Sequence, residues 1–133
     1  MDKRIGNQTP TLSVFLPYVT SDYAEAITLY QKTGRIIQEW QELLLEYILS
    51  RNEDDLWVHT KFGYSLPRRN GKNEVVAIVE MYALDKGLRV LHTAHRTTTS
   101  HTAWERLCRL LDQAKIDYAP LKSSGREQIE LSN

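Results

Sequence analysis

The chain contains a single cysteine, Cys108, among its 133 residues. One cysteine cannot build a disulfide framework or a cysteine-rich zinc site, so a reducing cytoplasm is the expected setting. The sequence also lacks any run of about 18 apolar residues, which excludes a transmembrane helix. Its first residues carry charges with no apolar stretch behind them, so no signal peptide is expected. We therefore expect a cytoplasmic protein with no membrane partner.

The chain has no excess of either charge, because 17 lysine and arginine residues balance 17 aspartate and glutamate residues. A neutral chain argues against a generally basic nucleic-acid coat protein, although it allows a local basic patch. The composition is 41% hydrophobic and 26% charged, which is typical of a globular protein in water. A length of 133 residues predicts a single domain with one core.

Apolar residues recur at helical spacing in four segments of the sequence. This spacing predicts helices over residues 22–31, 35–50, 72–86 and 99–114. Gly34 and Gly87 follow the first and third segments, and glycine is common just after the end of a helix. The four segments therefore predict a chain with a large helical content.

Alternating apolar and polar residues predict strands between these helices, over residues 57–66 and 88–94. Residues 116–120 could begin a third strand or a crossover, and residues 128–131 alternate like an edge strand. Strands that alternate with helices are typical of a parallel sheet, so the expected fold class is α/β. Parallel sheets bind ligands at the carboxyl ends of their strands, which directs attention to the loop after residue 66.

That loop partly matches the phosphate-binding pattern G-x-x-x-x-G-K-[ST] between a strand and a helix. Gly71 and Lys72 match, whereas Leu66 replaces the first glycine and Asn73 replaces the Ser/Thr. Gly71 would let the backbone approach a phosphate, and Lys72 would supply a positive charge. The Asn73 amide oxygen is a hard ligand that could take the place of a hydroxyl on Mg²⁺. The pattern alone leaves open a simpler interpretation, a basic turn that begins a helix.

Residues 65–73, Ser-Leu-Pro-Arg-Arg-Asn-Gly-Lys-Asn, resemble the variant Walker A motif of the large terminase subunit of tailed bacteriophages. Residues 91–96, Leu-His-Thr-Ala-His-Arg, resemble a second conserved stretch of that family. Trp40-Gln41, inside a predicted amphipathic helix, resembles the family's adenine-contacting Q motif. The resemblance in order and spacing covers residues 30–133.

The family's large subunit is a motor that packages DNA, with an N-terminal P-loop ATPase and a C-terminal nuclease. The resemblance implies a partial P-loop NTPase fold, with a parallel sheet flanked by helices and preceded by a helical N-terminal segment. It divides the chain into an N-terminal segment, residues 1–34, and the first portion of the ATPase domain, residues 35–133. It also implies ATP and Mg²⁺ as cofactors and the host bacterial cytoplasm as the location. The implied partners are double-stranded phage DNA, the portal protein, the small terminase subunit and further copies of the chain.

The same resemblance assigns roles to individual residues. Lys72 would hold the β- and γ-phosphates and Arg68 would contact the γ-phosphate, which makes these two the candidate catalytic residues. Asn73 would lie near Mg²⁺, Gln41 would read the adenine edge, and Trp40 could pack nearby. The complete candidate ATP-binding set is Gln41, Pro67, Arg68, Arg69, Asn70, Gly71, Lys72 and Asn73.

A Walker B strand, which is a run of apolar residues ending in Asp-Glu, does not follow Asn73 in the sequence. The nuclease half is absent as well. We therefore expect the nucleotide-binding first part of a packaging ATPase, cut before its catalytic acid, which binds ATP weakly and turns it over poorly by itself. The alternatives are a truncated prophage remnant that binds nucleotide or DNA without turnover, or another P-loop protein.

Overall fold

The computed structural model describes residues 6–66, 72–94, 97–121 and 128–131. The regular structure in these ranges is mainly helical. The helices are α1 (Tyr23–Gln31), α2 (Glu39–Ile48), α3 (Lys72–Asp85) and α4 (Thr97–Gln113). All four segments predicted as helices are confirmed, with ends shifted by a few residues. None of the helices in the described ranges is both long and apolar enough to cross a membrane.

The strands in the described ranges are short and form two separate pairs. They are β1 (Thr20–Ser21), β2 (Ser50–Arg51), β3 (Tyr118–Leu121) and β4 (Gln128–Leu131). β1 pairs with β2 and β3 pairs with β4, in both cases antiparallel. Tyr118 lies opposite Leu131 in the second pair. The strand predicted over residues 128–131 is therefore confirmed, and of the two alternatives for residues 116–120 the structure shows a strand, which begins at Tyr118.

The prediction of a partial P-loop NTPase fold with a parallel sheet is wrong, because the described residues form only two antiparallel pairs of strands. Residues 57–66 form no strand, apart from a single bridge between Trp57 and Arg51. Residues 88–94 form no strand either, and Leu91 is 89% exposed. An alternating pattern produces a strand only where a neighbouring strand takes up its backbone N–H and C=O groups. Within the described residues, β2 pairs with the first segment only at Trp57 and Val58, and no strand lies beside residues 88–94. The core of the described residues is helical instead.

Helix ends explain why the predicted boundaries shifted. α2 begins at Glu39 because the extended residue Gln38 caps it, and the Gln41 side chain accepts a hydrogen bond from the Gln38 N–H at 2.9 Å. α3 ends at Asp85, and Gly87, two residues later, turns the chain out of the helix with a φ of 75°. The Leu88 N–H caps the carboxyl end of this helix by donating to the Ala83 carbonyl at 2.9 Å.

The core lies between the four helices, and each helix contributes buried apolar side chains. Burial of each large apolar side chain stabilises the fold by ~1.5–3 kcal/mol. These core residues are Ala26, Leu29, Tyr30, Leu45, Leu49, Val75, Ala77, Ile78, Met81, Tyr82, Leu107, Leu110, Leu111 and Ala114. The core thus includes residues on both sides of residue 34, while the division of the chain there stays a prediction.

A polar cluster ties α3 to the β1–β2 pair at the edge of this core. The Tyr82 hydroxyl donates to Asp22 Oδ2 at 2.5 Å, and Arg51 donates to the same oxygen from Nε at 3.0 Å. The Arg51 guanidinium also lies over the Trp57 ring, 4.3 Å from its centroid. One carboxylate therefore joins the start of α1, strand β2 and the middle of α3.

Candidate nucleotide site

The beginning of α3 carries the part of the phosphate-loop motif that the structure describes. Lys72 and Asn73 are exposed in the first helical turn. The first N–H groups of a helix have no partner within the helix, and the helix dipole favours an anion beside them. The helix expected after the loop is therefore confirmed, whereas the strand expected before it is wrong.

The five preceding motif residues, Pro67, Arg68, Arg69, Asn70 and Gly71, lie outside the described residues. Their phosphate-binding roles, and the catalytic role of Arg68, stay predictions. His95 and Arg96, in the second stretch that resembles the terminase family, also lie outside the described residues.

Glu74, the third residue of α3, is surrounded by groups that donate to it. It accepts the Tyr30 hydroxyl at 2.5 Å, and its second oxygen lies 3.2 Å from the Arg106 guanidinium. Arg35 lies 3.7 Å away. Burial, followed by the Glu74 contact, raises the pKa of Tyr30 to about 12. Because Glu74 is a single charge between two arginines, the start of α3 has an excess of positive charge.

Gln41 is buried rather than presented to a ligand. It is only 5% exposed, and its side-chain oxygen accepts the Gln38 N–H that precedes α2. The adjacent Trp40 indole donates to the Gln38 side chain at 3.0 Å. The adenine-contacting role of Gln41 stays a prediction, and in this conformation its oxygen stabilises the first turn of α2.

A pocket of about 520 Å³, here termed the aromatic pocket, lies next to the start of α2. Its walls come from residues 6–15, from α2, and from residues 59–66. Trp40, Phe62 and Tyr64 are among the side chains that line it. The Tyr64 hydroxyl donates to the Lys72 carbonyl at 3.0 Å, and burial raises the pKa of Tyr64. The wall of the aromatic pocket therefore contacts the first residue of α3.

Hydrogen bonds of His59 hold the N-terminal wall of the aromatic pocket in place. Its Nδ1 lies 2.9 Å from the Tyr47 carbonyl, and its Nε2 lies 3.1 Å from the Leu16 N–H. A carbonyl only accepts and an N–H only donates, so Nδ1 carries the proton and Nε2 is the acceptor. Phe15 adds a stacked contact on Tyr47, with ring centroids 4.0 Å apart.

The sequence patterns did not predict the aromatic pocket. The alternating pattern predicts a strand over residues 57–66, which include Phe62 and Tyr64, and no pattern predicts that residues 6–15 pack against them. The available signal was the high density of aromatic side chains in residues 57–64, next to the candidate phosphate loop.

A second pocket, of about 300 Å³, lies between α3 and α4 and is here termed the α3–α4 pocket. Asn73 lies on its wall. His92 also lies there, with its Nδ1 hydrogen-bonded to Glu80. The described residues contain no group of three or more His, Cys, Asp or Glu side chains placed to hold a metal ion. The Mg²⁺ role of Asn73 stays a prediction.

No protein-family model, curated protein or solved structure matches the chain. The resemblance to the large terminase subunit therefore rests on the motif residues themselves.

Proposed function

We propose that this chain is the nucleotide-binding part of a phage DNA-packaging ATPase of the terminase large-subunit type, with ATP and Mg²⁺ as its ligands. The observation that carries the proposal is the contact between the aromatic pocket and the start of α3. Tyr64 lines the pocket and donates to the Lys72 carbonyl, so a base and its phosphates have adjacent places to bind.

The chemistry of the two places fits the two halves of ATP. A purine is planar, and it stacks favourably on aromatic side chains such as Trp40 and Phe62 in a partly apolar pocket. Phosphates favour the free N–H groups of a helix start and a lysine beside them, which α3 and Lys72 supply. Arg68, which precedes α3 in the sequence, would neutralise charge on the γ-phosphate, as the resemblance implies.

In the complete motor, this nucleotide site would couple ATP hydrolysis to the movement of double-stranded DNA into the capsid. The portal protein and the small terminase subunit would be its partners, as the resemblance implies. Such coupling also needs a carboxylate that orients the attacking water.

Binding without turnover is the second candidate function, and one observation favours it. The described residues form no parallel sheet that would present a catalytic acid to a nucleotide. We therefore expect this chain, by itself, to bind nucleotide or DNA more readily than it hydrolyses ATP.

Calorimetric titration of the chain with ATP and Mg²⁺ tests the proposal. We expect Lys72→Ala to weaken binding by at least about tenfold, because a charge-assisted contact to phosphate is lost. Lys32→Ala, at an exposed lysine that follows α1, is the matched control and should change affinity by less than about twofold. Equal affinities for the two variants would refute the phosphate site.

A thermal unfolding experiment and a phosphate-release assay complete the test. ATP with Mg²⁺ at about 100 times its dissociation constant should stabilise the fold by ~2.7 kcal/mol. The absence of any shift at millimolar ATP would contradict nucleotide binding. Multiple turnovers that disappear in Lys72→Ala would support the ATPase and exclude the candidate that binds without turnover.

A further inference from the structure

The α3–α4 pocket has chemically different ends, and nothing in the terminase resemblance assigns it a ligand. Asn73 and Glu80 line it from α3, and Thr98 and Arg106 line it from α4. Glu74, near the start of α3, contacts Arg106 in the second half of α4, while Glu80 and Thr98 line the same small pocket. Both contacts can be made only if the two helices run in opposite directions. Asn73 and Arg106 therefore mark one end of the pocket, and Glu80 and Thr98 mark the other.

The Arg106 end carries an unbalanced positive charge. Glu74 is the carboxylate that faces this end, and it is shared between Arg106 at 3.2 Å and Arg35 at 3.7 Å. The Arg106 side chain is still 41% exposed, so part of its guanidinium is open to a ligand. Asn73 adds an amide at the same end. This combination of donors and positive charge favours a phosphate group.

The opposite end carries a carboxylate and an imidazole. Glu80 is 7% exposed and accepts a hydrogen bond from Nδ1 of His92. The side chains of Thr98 and Thr102 line the pocket here, and the Thr102 hydroxyl donates to the Thr98 carbonyl at 2.9 Å. Carboxylate, imidazole and hydroxyl groups together both accept from and donate to the hydroxyl groups of a polyol. Because Glu80 is acidic, this end disfavours a phosphate.

The length of the pocket selects a ligand that reaches both ends. Seven residues separate Asn73 from Glu80, and at 1.5 Å per residue the two lie about 10 Å apart along α3. Inorganic phosphate is too small to contact both ends, whereas a phosphorylated five-carbon sugar spans the distance. We propose that the α3–α4 pocket binds a phosphomonoester of a five-carbon sugar, with its phosphate at Arg106 and its hydroxyl groups at Glu80 and His92.

Binding of ribose 5-phosphate, measured by calorimetry on the full chain, tests the proposal. Arg106→Gln should weaken binding by at least about tenfold, since a charge-assisted hydrogen bond is lost. Arg109→Gln makes the same change in charge at an exposed position of α4 outside the pocket, and should change affinity by less than about twofold. No binding of ribose 5-phosphate at millimolar concentration, or equal effects of the two variants, would overturn the proposal.

Two smaller probes test the second end of the pocket. Ribose and inorganic phosphate should each bind more weakly than ribose 5-phosphate. Inorganic phosphate that binds as tightly as ribose 5-phosphate would overturn the role of Glu80 and His92. A DNA oligonucleotide with a 5′-phosphate distinguishes a strand end from a free sugar phosphate: tighter binding of the oligonucleotide assigns the site to strand ends, and weaker binding assigns it to the free compound.

Two further measurements keep the test independent of folding and of the nucleotide proposal. If Arg106→Gln does not fold, amide chemical shifts of the unmodified chain are followed during titration with ribose 5-phosphate. Signals of Asn73, His92 and Thr102 should move, whereas shifts confined to the aromatic pocket would overturn the assignment. Lys72→Ala should lose ATP binding but keep most of its affinity for ribose 5-phosphate, so either proposal can fail without the other.

Discussion

The hydrogen bond between Tyr82 and Asp22 gives a measurable test of the polar cluster that joins α3 to the β1–β2 pair. Tyr82→Phe removes the hydroxyl that donates to Asp22 Oδ2 at 2.5 Å and leaves the ring in a site that is 2% exposed. A hydrogen bond to a charged group is worth ~1.5–3 kcal/mol of net stability. Arg51 remains on the same carboxylate at 2.9 Å and continues to compensate its charge. We therefore expect a loss near the lower limit, about 1.5 kcal/mol.

Urea unfolding at neutral pH, followed by circular dichroism, measures this loss as a change in the free energy of unfolding. Tyr23→Phe is the matched control, because the described residues provide no hydrogen-bond partner for the Tyr23 hydroxyl. It should change the free energy of unfolding by less than about 0.5 kcal/mol. A Tyr82→Phe variant as stable as the Tyr23→Phe variant would refute the energetic role of the cluster.

Alkaline pH provides a second, independent signature of the same hydrogen bond. Burial, followed by the hydrogen bond to Asp22, raises the pKa of Tyr82 above the ordinary value of 10.0. Below pH 10 the phenol is protonated in both the folded and the unfolded states, so its contribution to stability is fully present. Above pH 10 the unfolded state loses the proton first, so the contribution falls until the folded-state pKa is passed. The stability difference between the unmodified chain and Tyr82→Phe should therefore shrink above pH 10.

Further predictions follow from four single residues. Lys115, two residues after the end of α4, has a φ of 58°, so Lys115→Gly should stabilise the chain by ~0.5–1 kcal/mol in urea unfolding, whereas Gly87→Ala should destabilise it by a similar amount. Tyr30, with its pKa raised to about 12, should be one of several tyrosines that titrate late in an absorbance titration, and Tyr30→Phe should lower the late amplitude by one tyrosine. In the unmodified chain, the stability that the Tyr30 contact with Glu74 confers should be lost as the pH rises from about 10 to 12. Leu91→Lys should change the free energy of unfolding by less than about 0.5 kcal/mol because Leu91 is 89% exposed, and a loss of several kcal/mol would show that it is buried.

The helices could be predicted because their information is local. In α3, Val75, Ile78 and Tyr82 recur every three to four residues, and these same side chains are buried in the core. Gly87 then turns the chain out of the helix with a φ of 75°, which glycine adopts without strain. Each of these signals lies within the helix or directly after it, so no knowledge of distant residues is needed.

The strands were harder to predict because their hydrogen bonds come from elsewhere in the chain. Residues 118–121 form a strand with residues 128–131, which are close in sequence and alternate in the same way. Residues 88–94 have an equally good pattern, but the described structure provides no neighbouring strand, and Val90 and Leu91 remain exposed. The alternation indicates which residues can form a strand, whereas a partner with free backbone groups decides whether they do.

The candidate site shows the same distinction for side chains. Motif spacing correctly placed Lys72 and Asn73 in the first turn of a helix, because a helix start is a local feature. The motif could not reveal that the Gln41 oxygen would be used by the Gln38 N–H, since a glutamine three residues after a cap residue satisfies a capping box as well as a ligand. The contact between Tyr64 and Lys72 depends on how residues 59–66 pack against α2 and α3, and no local pattern specifies it. For this reason the affinity of the Lys72 variants for ATP, rather than the motif itself, decides between a nucleotide site and a basic turn that begins a helix.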